Sequence, residues 1–182
     1  SGILREGSSH YHLLLTRNYI EVWLASQQHD DVEMVEFKEI AARALAVAKR
    51  LCMPGRFPLI GDISPDCPPS YLTNLLRGEN LDWPDFDVLN TDLKSDDRET
   101  LATDGWVREN FGPWAALWHA SPEGWSPMPG HGHQDCGGFE IHYEDEPLFV
   151  DLGRGTYGNG GDAATSVSAL AHNSVIINGK DP

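Results

Sequence analysis

The sequence predicts an α+β protein in which helices come first and strands later. Three observations carry that expectation. Apolar residues recur at three- and four-residue steps over residues 33–51, the period falls to two in the last third, and an irregular acidic stretch lies between. Runs of helix followed by runs of strand place the elements in two segregated layers or two domains. The expected boundaries are 1–84 for the helical part, 85–104 for an acidic linker or surface segment, and 105–182 for the strands.

The first helix is expected from Ser8 or Ser9, whose hydroxyls can cap it, through His10-Tyr11-His12-Leu13 towards Trp23 and Leu24. The second is the clearest. Met34, Phe37, Ala41, Ala44, Ala48 and Leu51 form one stripe, and Met53-Pro54-Gly55 ends it. A polar loop of fixed shape, Asp62-Ile63-Ser64-Pro65-Asp66-Cys67-Pro68-Pro69, precedes a short third helix over residues 70–77, stopped by Gly78. Residues 82–104 carry Asp85, Asp87, Asp92, Asp96 and Asp97 and lack a period. Strands are then expected at residues 114–120, at Phe139, Ile141 and Tyr143 alternating with Glu140 and His142, and at residues 148–150 after a Glu144–Pro147 turn. A last strand, Ser174-Val175-Ile176-Ile177, runs into an Asn178-Gly179 turn.

Composition narrows the function classes. Among 182 residues, 28 are acidic and 13 basic, a net charge of −15, which argues against a nucleic-acid surface built on a basic stripe. No apolar run approaches the ~20 residues that span a bilayer. Cys52, Cys67 and Cys136 are widely spaced, without a CxxC pair, so a disulfide framework is not expected. The opening residues do not read as a natural start and the end follows directly on a strand, so a fragment of a longer protein is expected.

Two constellations can carry chemistry. In Gly130-His131-Gly132-His133-Gln134-Asp135 two histidines share a face of extended chain. Imidazole is the commonest metal ligand, and a carboxylate completes an N/O site suited to zinc. Alone, such a triplet is more often a polar loop. Asp151, inside Val150-Asp151-Leu152-Gly153, needs a partner to offset desolvation, although turn aspartates before glycine are common. A simple hairpin register puts Asp151 opposite Glu140, so joining it to His133 requires a bend, and Cys136-Gly137-Gly138 is where the chain can bend. His172 precedes the last strand, where a flanking role is the common one. In the second constellation, Tyr11 lies between His10 and His12 at a helix head and can move a proton if cations or hydrogen bonds assist it. An aromatic packing residue is the alternative.

Taken together these stretches resemble the heparinase II/III-like polysaccharide lyases, which include alginate and oligo-alginate lyases. The matching residues are Glu6-Gly7-Ser8-Ser9-His10-Tyr11-His12-Leu13, Gly130 to Asp135 leading to Phe139-Glu140-Ile141, Phe149-Val150-Asp151-Leu152-Gly153 with Thr156-Tyr157, and Ala171-His172-Asn173-Ser174. The resemblance implies part of an α/α toroid followed by part of an antiparallel β-sandwich, with the active site between them. It implies Tyr11 as catalytic tyrosine, His131 as the histidine from the sandwich, and His133, Asp151 and His172 as ligands of a zinc that is structural rather than catalytic. Tyr157 would line the substrate cleft, with Asp62, Asp66 and His10 near it. Arg154, between Gly153 and Gly155, is the favoured carboxylate partner over Arg5, Arg17 and Lys180.

The chain departs from the family pattern at Cys136-Gly137-Gly138 and at Leu152, and the family's substrate-binding Asn-His pair lies upstream of the tyrosine motif. The implied reaction is β-elimination on an acidic polysaccharide or oligosaccharide, in a periplasmic or secreted protein. A metal-dependent hydrolase and a non-catalytic glycan-binding relative are the alternatives. The net charge directs the expectation towards uronates of modest charge density, because the field in a cleft depends on local charge.

Overall fold

The computed structural model describes residues 1–29, 33–77, 83, 86–89, 95–120 and 131–182. The stop expected at Gly78, the acidic residues Asp82, Asp85 and Asp92, and Gly130 lie outside the described residues. Among the described residues no helix is long and apolar enough to cross a membrane.

Helix α1 spans Ser9–Gln27, and Ser8 caps it by accepting the Tyr11 N–H. Helix α2 spans Met34–Leu51 and turns the expected stripe inward, burying Ala41, Ala44, Leu45, Ala48 and Leu51. It ends at Met53-Pro54-Gly55, where Gly55 takes a φ of 76°. Helix α3 is Pro69–Arg77. The acidic segment expected as a solvated linker is in part packed. A 3-10 turn at Phe86–Leu89 and helix α4 at Ser95–Thr103 bury Phe86, Leu89 and Leu101. Those anchors stand singly among aspartates, too sparse to show as a period.

Strands β1 (Trp106–Phe111), β2 (Trp114–His119), β3 (Gly138–Tyr143) and β4 (Glu146–Phe149) form one antiparallel sheet in sequence order. The register pairs Trp106 with His119 and Leu117 with Glu140, and an irregularity falls between Ile141 and His142. A short helix, α5 (Asp162–Val167), follows. The strand expected at residues 174–177 does not form. Val175 and Ile177 are exposed, and Ile177 bridges only to Lys180 around the expected turn at Asn178 and Gly179. A strand needs a neighbour to satisfy its backbone, and this segment has none among the described residues.

The two layers share one core. Leu13, Val47, Leu51, Met53, Phe57 and Ile60 from the helical side pack with Trp106, Ala115 and Leu117 from the sheet. Burial of each leucine contributes about 1.5–3 kcal/mol. Along β3 the face turned to this core is polar. Glu140 and His142 are fully buried, while Phe139 and Tyr143 stand on the outer face with Trp118 and Phe149. Leu117→Ala is expected to cost about 2–5 kcal/mol and to lower a single melting transition reported by both helix and sheet signals; separate transitions for the layers would contradict a shared core.

Candidate active site and cation cluster

Three backbone segments meet where helix, loop and sheet converge. His131 N–H donates to the Glu6 carbonyl and Asp62 N–H to the His131 carbonyl, while Ser8 Oγ–H donates to the Asp62 carbonyl. Gly61 sits in the middle with φ 74°, and a methyl there would lie 2.3 Å from the Gly7 oxygen and 2.7 Å from the His131 oxygen. Ser9 ties the helix start to the same loop through the Pro58 carbonyl and the Ile60 N–H. The first turn of α1, the loop before α3 and the His-Gly-His segment are therefore held at fixed spacing.

Tyr11 and His131 face each other across this junction. Their rings stack at 3.6 Å between centroids with 6° between planes. His131 Nδ1 lies 3.3 Å from Asp62 Oδ2 and Nε2 lies 3.5 Å from Glu6 Oε2, so a carboxylate stands at each ring nitrogen. Asp62 also takes His133 Nε2 and Arg154 Nη1 on its Oδ1, both at 2.8 Å. Burial alone would raise the Asp62 pKa, but hydrogen bonds from Arg154, His133 and His131 together lower it. The Arg154 guanidinium lies 4.1 Å over the Tyr157 ring, and the Tyr157 hydroxyl donates to the Ile63 carbonyl. Burial, then the Asp62 charge, push the Tyr157 pKa up.

The expected site residues divide clearly. Tyr11, His131, Arg154 and Tyr157 are brought together around Asp62. Asp62 itself, expected to meet substrate, has its carboxylate taken by three side chains and acts as a clamp. His10, expected near the cleft, is fully buried; its Nδ1 accepts the Ser64 N–H, and burial lowers its pKa. Its Nδ1 contact ties the loop to the helix head. Asp66 is exposed on that loop, outside the group around His131. Glu6 was part of the quoted tyrosine motif but has no expected role; its place beside His131 depends on a contact across the sheet–helix junction.

Beyond His133 lies a buried cluster. His133, Asp135 and His172 place ligand atoms within 4.8 Å of one another. Asp151 adjoins it, with its carboxylate oxygens 2.9 and 3.0 Å from His172 Nδ1. The bend that joins His133 to Asp151 is where it is expected: Gly137 has φ 81°, and the Gly138 N–H returns to the Asp135 carbonyl. His133 Nδ1, His172 Nε2 and both Asp135 oxygens are buried without a hydrogen-bond partner among the described residues. Unsatisfied buried atoms on two imidazoles and a carboxylate are groups that could hold a metal ion. The remaining ring nitrogens of His133 and His172 are held by Asp62 and Asp151, as metal-binding histidines commonly are. Asp135 is a member that the sequence reading left without a role, although a His-x-Asp spacing could have flagged it.

Residues 95–182 match the family model described as heparinase II/III-like, C-terminal. This part of the chain is similar to that family. Solved structures agree in fold. The heparan sulfate lyase HepC from Pedobacter heparinus superposes with a TM-score of 0.65 at 14% identity, over 99% of this chain and 30% of that one. A heparinase III superposes with a TM-score of 0.62 at 18% identity, over 99% of this chain and 32% of that one. The chain thus spans under a third of those lyases, and at these identities the likeness is one of fold. No curated protein sequence matches the chain. The superposition runs through both layers, so the helical half is similar in fold as well.

Two outcomes test this geometry. Gly61→Ala should cost more than about 2 kcal/mol, because left-handed angles and backbone oxygens both oppose a methyl there. An unchanged melting temperature would show that the three segments can separate freely. Burial raises the Asp135 pKa from 3.8 to about 7. The folded state then holds a proton that the unfolded state releases, so this group weakens the metal-free fold as pH rises between those values. Metal-free Asp135→Asn should gain melting temperature relative to wild type from about pH 4 to about pH 7 and keep a constant advantage above. A difference independent of pH would remove Asp135 as the titrating group.

Proposed function

We propose that this chain carries the helix–sheet junction of a polysaccharide lyase acting on uronate-containing glycans by β-elimination. The observation that supports it most is the Tyr11–His131 stack, held between Glu6 and Asp62 with Arg154 and Tyr157 alongside. The helices are read as the last part of an α/α toroid and the sheet as the first part of a β-sandwich. The glycan class follows from the names of the structural relatives, which are heparinases and a heparan sulfate lyase.

The chemistry required is modest in bond terms. A base takes the proton at C5 of the uronate, the C4–O bond breaks, a C4–C5 double bond forms, and the departing oxygen receives a proton. In this reading the Tyr11 oxygen gives that proton and, in syn geometry, also takes the one from C5. His131, held between Glu6 and Asp62 against the Tyr11 ring, would position the substrate beside Tyr11. Arg154 gives Nη1 to Asp62 and Nε to the Thr156 carbonyl, leaving its Nη2 group for the uronate carboxylate.

His133, His172 and Asp135 would hold a zinc ion, with Asp151, the carboxylate the resemblance implies as a ligand, either on the ion or on His172 Nδ1 where it stands. A bound ion there would supply a fixed positive charge that ties residue 172 to the His-Gly-His segment. Burial of His133, His172 and Asp135 argues against an open coordination position and so against the hydrolase reading. The ligand assignment separates by substitution, since loss of zinc in Asp135→Asn, in Asp151→Asn or in both identifies the carboxylates that bind.

In the whole protein, Tyr11→Phe is expected to lower turnover by about 10²–10⁴-fold with an unchanged melting temperature. Turnover is read by the ultraviolet absorbance of the new double bond on uronate oligosaccharides. Retained activity would remove Tyr11 from the mechanism, and oligosaccharide binding without any absorbance change in wild type would favour a non-catalytic glycan binder. His133→Ala should lose zinc and melting temperature together; normal zinc content by elemental analysis would remove it from the ligand set.

A further inference from the structure

A carboxylate the mechanism does not use lies beneath the cation cluster. Glu140 is fully buried on the inner face of β3, where a charge costs several kcal/mol unless it is paired. Its Oε1 accepts the Asp151 N–H at 3.1 Å. Arg56 stands 3.9 Å from Oε1 and His142 Nε2 stands 3.6 Å from Oε2. Arg56 is itself fixed by paired backbone hydrogen bonds to Met53 in the turn after α2. One side chain therefore joins the helical layer, the third strand and the chain as it leaves β4.

The segment around Asp151 is clamped from the other side too. Asn173 Nδ2 donates to the carbonyls of Phe139 and Val150, and Asp151 Oδ1 accepts the Gly153 N–H. Gly153 is confined by Ile63 and the Leu59 carbonyl, which leave no room for a side chain. What aims the Asp151 carboxylate at His172 is thus a backbone position set by Glu140 beneath it and Asn173 beside it.

We infer that Glu140 is a positioning residue for the cation site, acting through the Asp151 N–H to fix the Asp151–His172 pair. This rests on the cation reading above. It separates reach from charge. Glutamine keeps the length and an acceptor oxygen at Asp151 N–H; aspartate keeps the charge but is one methylene too short to reach it.

The test is zinc affinity of the intact protein by competition with a chromophoric chelator, with the cobalt-substituted visible spectrum as a second readout. Glu140→Gln should bind zinc within about threefold of wild type and keep its cobalt spectrum. Glu140→Asp should weaken zinc by about tenfold to a hundredfold, the usual range for loss of a residue that orients a ligand, and should alter the cobalt spectrum. Leu117→Ala, opposite Glu140 on β2, is the control for general destabilisation and should keep wild-type zinc affinity. Weak binding in Gln with normal binding in Asp would mean that charge rather than reach matters, and would overturn the inference. So would equal losses in Glu140→Asp and Leu117→Ala, or no loss in Glu140→Asp. A wild-type protein that takes up no zinc would instead overturn the cation reading, and this inference with it.

Discussion

The carboxylate of Asp62 is the constraint on which the site depends. It belongs to a loop of the helical layer, yet its partners His131, His133 and Arg154 come from the sheet side. One oxygen faces the tyrosine–histidine stack and the other holds a histidine of the cation cluster. A single buried anion thus sets the spacing between the Tyr11–His131 stack and the His133 cluster. Three donors compensate it, so the anion costs little in place and much if any donor is removed. The backbone joins of Glu6, Gly61 and His131 make that arrangement rigid before any side chain contributes.

Much of the fold was legible. The period over residues 33–51, the caps at Ser8 and Ser9 and the stop at Met53-Pro54-Gly55 are local signals, and local signals survive into the structure. The hairpin of Glu144–Pro147 and the bend at Gly137 were legible for the same reason. Strand β1 was not expected, because Trp106-Val107-Arg108-Glu109-Asn110-Phe111 alternates poorly and forms by pairing with β2. The failure at residues 174–177 is the converse: strong strand composition without a partner. In the site, the tyrosine and histidine motifs were visible as residue types, but the roles of Asp62, Glu6 and Asp135 were not. Those roles arise from contacts between distant segments, which no spacing rule encodes.

Strand β3 also reverses the usual sense of alternation. It carries Glu140 and His142 towards the helices, while Phe139 and Tyr143 stand outside, against Phe149 and Trp114. The polar inner face is possible because Arg56 and the ends of the loop segments supply partners. Burial lowers the pKa values of His12 and His119 to about 4, which favours their neutral forms. The net charge of −15 is consequently a poor guide to the site, where Arg154 and His131 lie against Asp62 and Glu6.

The contacts that converge on Asp62 span 69, 71 and 92 residues of sequence. Each is a long loop that must close before its contact is rewarded, and loop closure makes such contacts slow to form. The helices can form early from neighbouring residues, but the site exists only once the chain has returned from the sheet to its own beginning. A nascent or partly folded chain therefore holds the tyrosine, the histidines and the carboxylates without the arrangement that could make them act. The arrangement around Asp62 comes late, after the local elements are in place.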